Sequence, residues 1–329
     1  MVLTTALPTD HHFVWSKGFA LRADHPDPVT HAEYVNGVYT APFPPDAYQN
    51  INDNDLVWIR SNDVGRFAGH VLPHTSARFT LLSGDEDVAH PADPLLDNTE
   101  FGLSPEDRLA ALTMLDDPRL IAWFAQNASH PPHPSGKLHY LPVGLDLHTG
   151  FLRDHWGIPA GTTPAQQEQE LIQTAEQAPP FPDRIPKAFA AWSNNNSKDV
   201  PKIGLLDRDS LAASFQNNPV VDFDASPSLS RLEIWRRFAQ YQFIIAPIGH
   251  GFDTHRLWEA LILGCIVIAQ TSPVSPYYHS LPITNFSHPN EVNAASLHQW
   301  ASQITPAQHT DSRLAANHWI DKACNHPHT

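Results

Sequence analysis

The sequence predicts an α/β protein built from two Rossmann-like parallel-sheet domains. Three observations predict it. Short apolar runs, fit for strands buried on both faces, alternate with helical stretches along most of the chain. A length of 329 residues gives room for two domains of about 150 residues each. A stretch rich in Gln, Glu, Pro and Thr over residues 152–186 breaks the alternation and ends in APPFPDRIP, which places a boundary near residue 180. The domains are then 1–180 and 181–329.

Residues 1–50 are rich in loops, with strand candidates at 13–15 and 34–39. The run 55–60 (DLVWIR) is the first buried strand, and Ser61, Asn62 and Asp63 cap a short helix over 64–72. The next strand, 78–82 (RFTLL), ends in Ser83-Gly84-Asp85-Glu86-Asp87. An acidic loop there stands where ligands bind in parallel sheets. Ser104 caps the helix SPEDRLAALTML, which has Pro at its first position, acids in its first turn, and Leu109, Leu112 and Met114 on one side. Strands follow at 120–124 and 138–143, the second running into Gly144-Leu145-Asp146-Leu147-His148-Thr149. A helix over 164–177 falls inside the boundary stretch.

The second domain opens with the strand 187–192 (KAFAAW) and the polar loop Ser193-Asn194-Asn195-Asn196-Ser197-Lys198. A helix over 207–216, a strand over 220–223 and an amphipathic helix over 229–241 come next. After the unit 243–270, a loop over 272–282 carries Tyr277, Tyr278 and His279. Helices over 293–304 and 312–324 close the chain.

Composition narrows the function. The formal charge is −15 with only 20 Lys and Arg, which argues against nucleic acid or an anionic membrane as partner. Apolar residues at 41% suffice for real cores. Two cysteines, Cys265 and Cys324, build no disulfide framework. The start, MVLTTALPTDHH, lacks the basic and apolar regions of a signal peptide. No apolar run approaches the roughly 18 residues of a membrane span. A cytoplasmic protein, or a soluble domain of a longer one, is the expectation. The 21 histidines are scattered without HExxH or Cys/His spacing, so no metal or other cofactor is expected.

The stretch 243–270, FIIAPIGHGFDTHRLWEALILGCIVIAQ, reads as strand, glycine loop, helix, strand. Gly249 and Gly251 allow positive φ and close approach to a ligand. Asp253 or Thr254 caps the helix, and Gly264 ends it. A helix N-terminus at a sheet's carboxyl edge attracts anions, and Arg256 in its first turn adds a fixed charge. Glu259, one turn on, is placed to accept hydrogen bonds from ribose hydroxyls. A nucleoside diphosphate fits this layout. A dinucleotide fingerprint fits less well, because Thr254 stands at the third glycine of Gly249-His250-Gly251 and the unit comes late in the chain.

The same residues resemble the nucleotide-sugar motif of the exostosin-like glycosyltransferases. Pro247, Gly249, Gly251, Asp253, Thr254, His255, Arg256, Trp258, Glu259, Ala260, Leu261, Gly264, Cys265 and Ile266 match it in order. Ile248 departs from it, since relatives often carry a basic residue there. The close match covers about thirty residues, and the rest agrees only in layout. The resemblance implies a GT-B type fold with two domains facing a cleft, the donor bound to the second and the acceptor approaching from the first. It implies a UDP-sugar donor first among nucleotides, inversion without a metal, and a glycan or glycoconjugate acceptor. Donor-binding candidates are then Gly249, His250, Gly251, Asp253, Thr254, His255, Arg256 and Glu259, with Ser193, Asn194 and Lys198 from the polar loop and Lys202 as a further cation. The base is sought among Asp85, Asp87, Asp63, Asp146 and His148, with Asp85 favoured because Gly84 lets its loop approach a substrate. Asp85-Glu86-Asp87 also matches the Asp-x-Asp signature of metal-dependent GT-A type enzymes. A non-catalytic nucleotide-sugar-binding module is the third alternative.

Overall fold

Apolar runs without polar alternation mark strands covered on both faces, and in the computed structural model they assemble into two parallel sheets. The structure describes residues 11–25, 34–35, 38–39, 43, 45–85, 105–128, 135–192, 196–198, 200–225 and 229–326. Strands β1 (Tyr34–Val35) and β2 (Val38–Tyr39) form a short antiparallel pair where one strand was expected. Strands β3 (Leu56–Arg60), β4 (Phe79–Gly84), β5 (Leu120–Gln126) and β6 (Leu138–Leu141) form a four-stranded sheet in that order, all parallel. Helix α1 (Val64–His70) follows β3, and α2 (Pro105–Leu115) precedes β5. Among the described side chains of α2 the buried ones are Ala111, Met114 and Leu115, while Leu109 is 65% exposed. The expected side fails because Leu112 and Met114, two apart, do not share a helical face, whereas 111, 114 and 115 do. Ser104, the expected cap, lies outside the described residues.

Helix α3 (His148–Leu152), a short helix not expected from the sequence, leads to α4 (Pro164–Glu176). Thr163 and Gln166 form a capping box at the start of α4. Then come β7 (Ile185–Ala191), α5 (Arg208–Phe215), β8 (Val221–Asp224), α6 (Arg231–Phe238), β9 (Tyr241–Ala246), α7 (His255–Ile262), β10 (Ile266–Gln270), β11 (Ile283–Phe286) and α8 (Ala294–Gln303). A second capping box, Ser230 with Glu233, starts α6. Gly264 takes φ +76 just past α7, the left-handed position that ends a helix. Strand β11 escaped the sequence reading because it is a short edge strand, ITNF, with only Phe286 buried. The last helix, α9 (Ala316–Cys324), begins after a 3-10 turn at Ser312–Leu314.

The chain divides into two compact units. The first holds 16–142 with α9, and the second holds 11–15 and 143–315. The changeover at Pro142/Val143 comes before the proline-rich stretch, so α3 and α4 belong with the second sheet rather than with the 1–180 domain expected from composition. Within the second unit, Phe13 bridges Ala315 and Trp15 bridges Leu145, which is the form the expected strand at 13–15 takes. Glu168 of α4 accepts the backbone N–H of His12 (2.8 Å) and Phe13 (2.7 Å), anchoring that segment.

The five strands of the second sheet run in the order β11-β10-β9-β7-β8, and every pair is parallel. From β7 the chain steps to β8 on one side, then returns to lay β9, β10 and β11 on the other. The order therefore reverses between β7 and β9. In an open parallel sheet the loops leaving such a reversal diverge and leave a crevice at the carboxyl edge, where ligands bind.

Candidate functional site

Two arginines meet the carboxyl ends of the strands on either side of that reversal. Arg256, second residue of α7, donates through Nη1 to the Ala191 carbonyl at the end of β7. Arg208, first residue of α5, donates through Nε to the Ile248 carbonyl in the loop after β9 (2.9 Å). Trp192 Nε1 in turn donates to the Arg208 carbonyl (3.0 Å), and the Arg208 N–H donates to Ser197 Oγ (2.8 Å). Gly249 makes room for this arrangement, since a Cβ there would lie 3.3 Å from Arg208 Nη2. Neither Gly249 nor Gly251 takes the left-handed φ that the sequence suggested, so the need is space rather than backbone freedom.

The start of α7 is not capped by a side chain. Thr254 occupies the N-cap position with φ −136 and makes no capping hydrogen bond. Asp253 does not cap either: its Oδ2 accepts from the Val143 N–H (2.8 Å), and both its oxygens accept from Trp258 Nε1 (3.0 Å each). Of the first-turn amides, the Leu257 N–H donates to the Thr254 carbonyl (3.0 Å), so what the helix start offers an anion is mainly the positive end of its dipole. Arg256 has no carboxylate in ion-pair range among the described residues. Burial lowers its proton affinity below the usual arginine value, and the field of Glu259 opposes this in part. A desolvated guanidinium held only by a carbonyl is a site for an anionic ligand.

Glu259 faces a different arginine. Its Oε1 accepts from Arg231 Nε (2.8 Å), and both side chains are buried. Its Oε2 makes no protein hydrogen bond among the described residues. Arg231 Nη1 donates to the Asp146 carbonyl and to Gln167 Oε1 (3.2 Å), while its Nη2 is buried without a partner among the described residues.

The same helix holds the segment after β6. His255 Nδ1 donates to the Gly144 carbonyl (2.7 Å), beside the Asp253–Val143 bond. Gly144 takes φ +70 and lies against Val14, where a Cβ would come within 2.3 Å of the Val14 carbonyl oxygen. So Asp253, His255 and Trp258 fasten residues 143–144 to α7. This brings Asp146 and His148 into the second unit, where the sequence had them in the first. Asp146 Oδ1 stands 3.1 Å from His148 Nδ1 and accepts the Thr149 N–H (3.1 Å). Burial alone would raise the Asp146 carboxyl. His148, His255, Arg231 and the Thr149 N–H together hold it well below the usual carboxylate range.

The remaining candidates are placed as follows. Asp85 pairs with Lys17, both only 8% exposed. Gly84 packs on Gln126, where a Cβ would sit 2.2 Å from its Oε1, so its space is filled by protein rather than left for a substrate. Asp63 is 4% exposed between Arg60 and Arg66. Asp87, Ser193 and Asn194 lie outside the described residues, as does the Lys202 side chain. Lys198 and His250 are exposed. Tyr278 is buried, and His279 is exposed with Nδ1 3.0 Å from the Pro276 carbonyl. Among the described residues no group of three or more His, Cys, Asp or Glu is placed to hold a metal. No helix among them is long and apolar enough to cross a membrane. Sequence reasoning missed Arg208 and Arg231. The signal for Arg208 was the charge absent at Ile248. Arg231 gave none, because it sits among other charged residues on an amphipathic helix.

No family model matches the sequence, and no curated protein matches it. Solved structures similar to the chain include the apo structure of OtsA (12% identity, 84% of this chain and 74% of that one, TM-score 0.44). An alpha1,3-fucosyltransferase is similar at 13% identity, over 82% and 68%, with a TM-score of 0.33. A structure described as trehalose-6-phosphate from E. coli bound with UDP-2-fluoro glucose is similar at 13% identity, over 84% and 72%, with a TM-score of 0.35.

Proposed function

We propose that this chain is a glycosyltransferase of the GT-B, exostosin-like type that moves a sugar from a nucleotide donor, a UDP-sugar first, to a glycan or glycoconjugate hydroxyl. The observation that supports it most is the meeting of Arg256 and Arg208 at the carboxyl ends of β7 and β9, where the sheet order reverses. Two guanidinium groups and an uncapped helix start suit a diphosphate. Glu259 Oε2 is placed to accept from a ribose hydroxyl. In the reaction the acceptor oxygen attacks the anomeric carbon, the bond to the diphosphate breaks, and the nucleoside diphosphate leaves with the charge that the arginines stabilise. The acceptor proton passes to a base.

His148 is the base that fits best, and the assignment replaces Asp85. It is 19% exposed and its Nδ1 stands 3.1 Å from Asp146 Oδ1, a carboxylate that would stabilise the imidazolium formed as the base takes the acceptor proton. Asp85 and Asp63 are each held by a cation at 8% and 4% exposure. Replacing the base should cost about 10²–10⁴ in rate, so His148→Gln should lose that much while Asp85→Asn loses less than about tenfold. The reverse order would return the role to Asp85. Arg256→Ala should lose about 3–4 kcal/mol of transition-state stabilisation, read as kcat with the best of a panel of sugar nucleotides. Wild-type turnover in that variant would remove Arg256 from the mechanism. Activity that disappears with chelator would favour the metal-dependent Asp-x-Asp alternative, and donor binding without turnover would favour a binding module.

A further inference from the structure

Residues His155 to Ile158 form a two-residue hairpin in the second unit. The His155 N–H donates to the Ile158 carbonyl (3.0 Å) and the Ile158 N–H to the His155 carbonyl (2.8 Å). Both central residues are left-handed, Trp156 at φ +47 and Gly157 at φ +77. A tight turn of this kind favours Asn-Gly or Asp-Gly, so a tryptophan at its first central position is an outlier. Burial does not explain it, because Trp156 is 53% exposed.

The surroundings hold the turn in place. The Trp156 carbonyl accepts the Arg231 N–H (2.8 Å), and Gly157 lies so close to Ser230 that a Cβ would come within 2.7 Å of the serine Cβ. Arg231 is the residue whose guanidinium holds Glu259 (2.8 Å). The turn is therefore clamped to the N-terminus of α6, beside the cluster described above. The His155 ring lies against the indole, centroids 4.0 Å apart and planes 35° from parallel. Strain that persists at an exposed aromatic, in a backbone fixed by its neighbours, points to a task for the side chain.

We propose that Trp156, backed by His155, is a stacking platform for a pyranose ring of a neutral oligosaccharide acceptor. The identity of the ligand rests on the transferase reading. A single rigid indole face matches the apolar C–H face of a sugar, and little conformational entropy is lost because the turn already fixes the backbone. A single exposed ring is a small contact for a protein partner. The net charge of −15 argues against an anionic lipid surface.

The test compares the full chain with Trp156→Asn and Trp156→Phe. Asn suits the left-handed position, so Trp156→Asn should melt at or above the wild-type temperature. Binding of gluco-, xylo- and galacto-oligosaccharides is followed by calorimetry, and UDP binding by thermal shift. Trp156→Asn should weaken binding of the best oligosaccharide about tenfold or more and leave UDP binding unchanged, while Trp156→Phe stays within about threefold. Wild-type oligosaccharide affinity in Trp156→Asn, or no binding of any oligosaccharide by the wild type, overturns the proposal. A lower melting temperature in Trp156→Asn with oligosaccharide affinity kept assigns the indole to the turn and also overturns it. Weakened UDP binding assigns the indole to the nucleobase, again against the proposal. Retained UDP binding in any of these cases leaves the transferase reading standing, whereas a wild type that binds no nucleotide fails that reading itself.

Discussion

Removing Arg231 should destabilise the second unit more than it disturbs any single contact. Arg231 and Glu259 form an ion pair with side-chain exposures of 3% and 8%. In Arg231→Met the glutamate is left in the interior without its cation. Removing one member of a buried pair costs roughly 3–5 kcal/mol. At 2–4 °C per kcal/mol for a unit of this size, the melting temperature should fall by roughly 6–20 °C. Arg231 Nη2 is buried without a partner among the described residues, so the wild-type pair already carries a cost. Arg231→Met with Glu259→Met should therefore recover most of the loss. Calorimetric melts of the single and double variants are the assay. A single variant within about 1 kcal/mol of wild type, or a double variant that recovers nothing, would show that the pair does not act this way.

Other outcomes follow from the same geometry. Arg208→Met should weaken nucleoside diphosphate binding by about 1.5–3 kcal/mol, the worth of hydrogen bonds to a charged group, and Arg208→Lys should recover part of it; titration calorimetry reads both. Burial, with His326 and Lys322 adding to it, pushes the His139 imidazole down to about 4. A folded value below the unfolded one means stability is full above about pH 6.5 and is lost as pH falls from there toward 4. The loss by about pH 5 should be near 1 kcal/mol after allowance for solvent at the ring, and His139→Phe should flatten that slope in melts.

Much of the second sheet was legible because the rules that mark it are local. Doubly buried strands such as β9 and β10 appear as unbroken apolar runs. Helices were expected over 164–177 and 229–241 from pattern, and the capping boxes that start them, Thr163 with Gln166 and Ser230 with Glu233, emerge in the structure. Gly264 ends α7 where sequence placed the stop. The roles within the motif were less legible, because a hydrogen-bond partner far along the chain leaves no trace in local pattern. Asp253 looked like a cap and instead binds Val143 and Trp258, while His255 reaches Gly144. Glu259 looked like the neighbour of Arg256 and is paired with Arg231, 28 residues earlier. The place of residues 143–180 was misread because proline and glutamine content marks loops but does not say which core a segment joins.

On the proposed reading a nucleoside diphosphate binds at the β7–β9 reversal through Arg256. Thermal-shift titration of wild type and Arg256→Ala with UDP, GDP and CDP measures this. At about 100 times Kd a ligand bound only to the folded state adds about 2.7 kcal/mol of stability. The wild type should show a saturable rise with at least one of the three, and Arg256→Ala should lose it while keeping its unliganded melting temperature within a few degrees. No response to any of them, or an equal response in the variant, would contradict the claim.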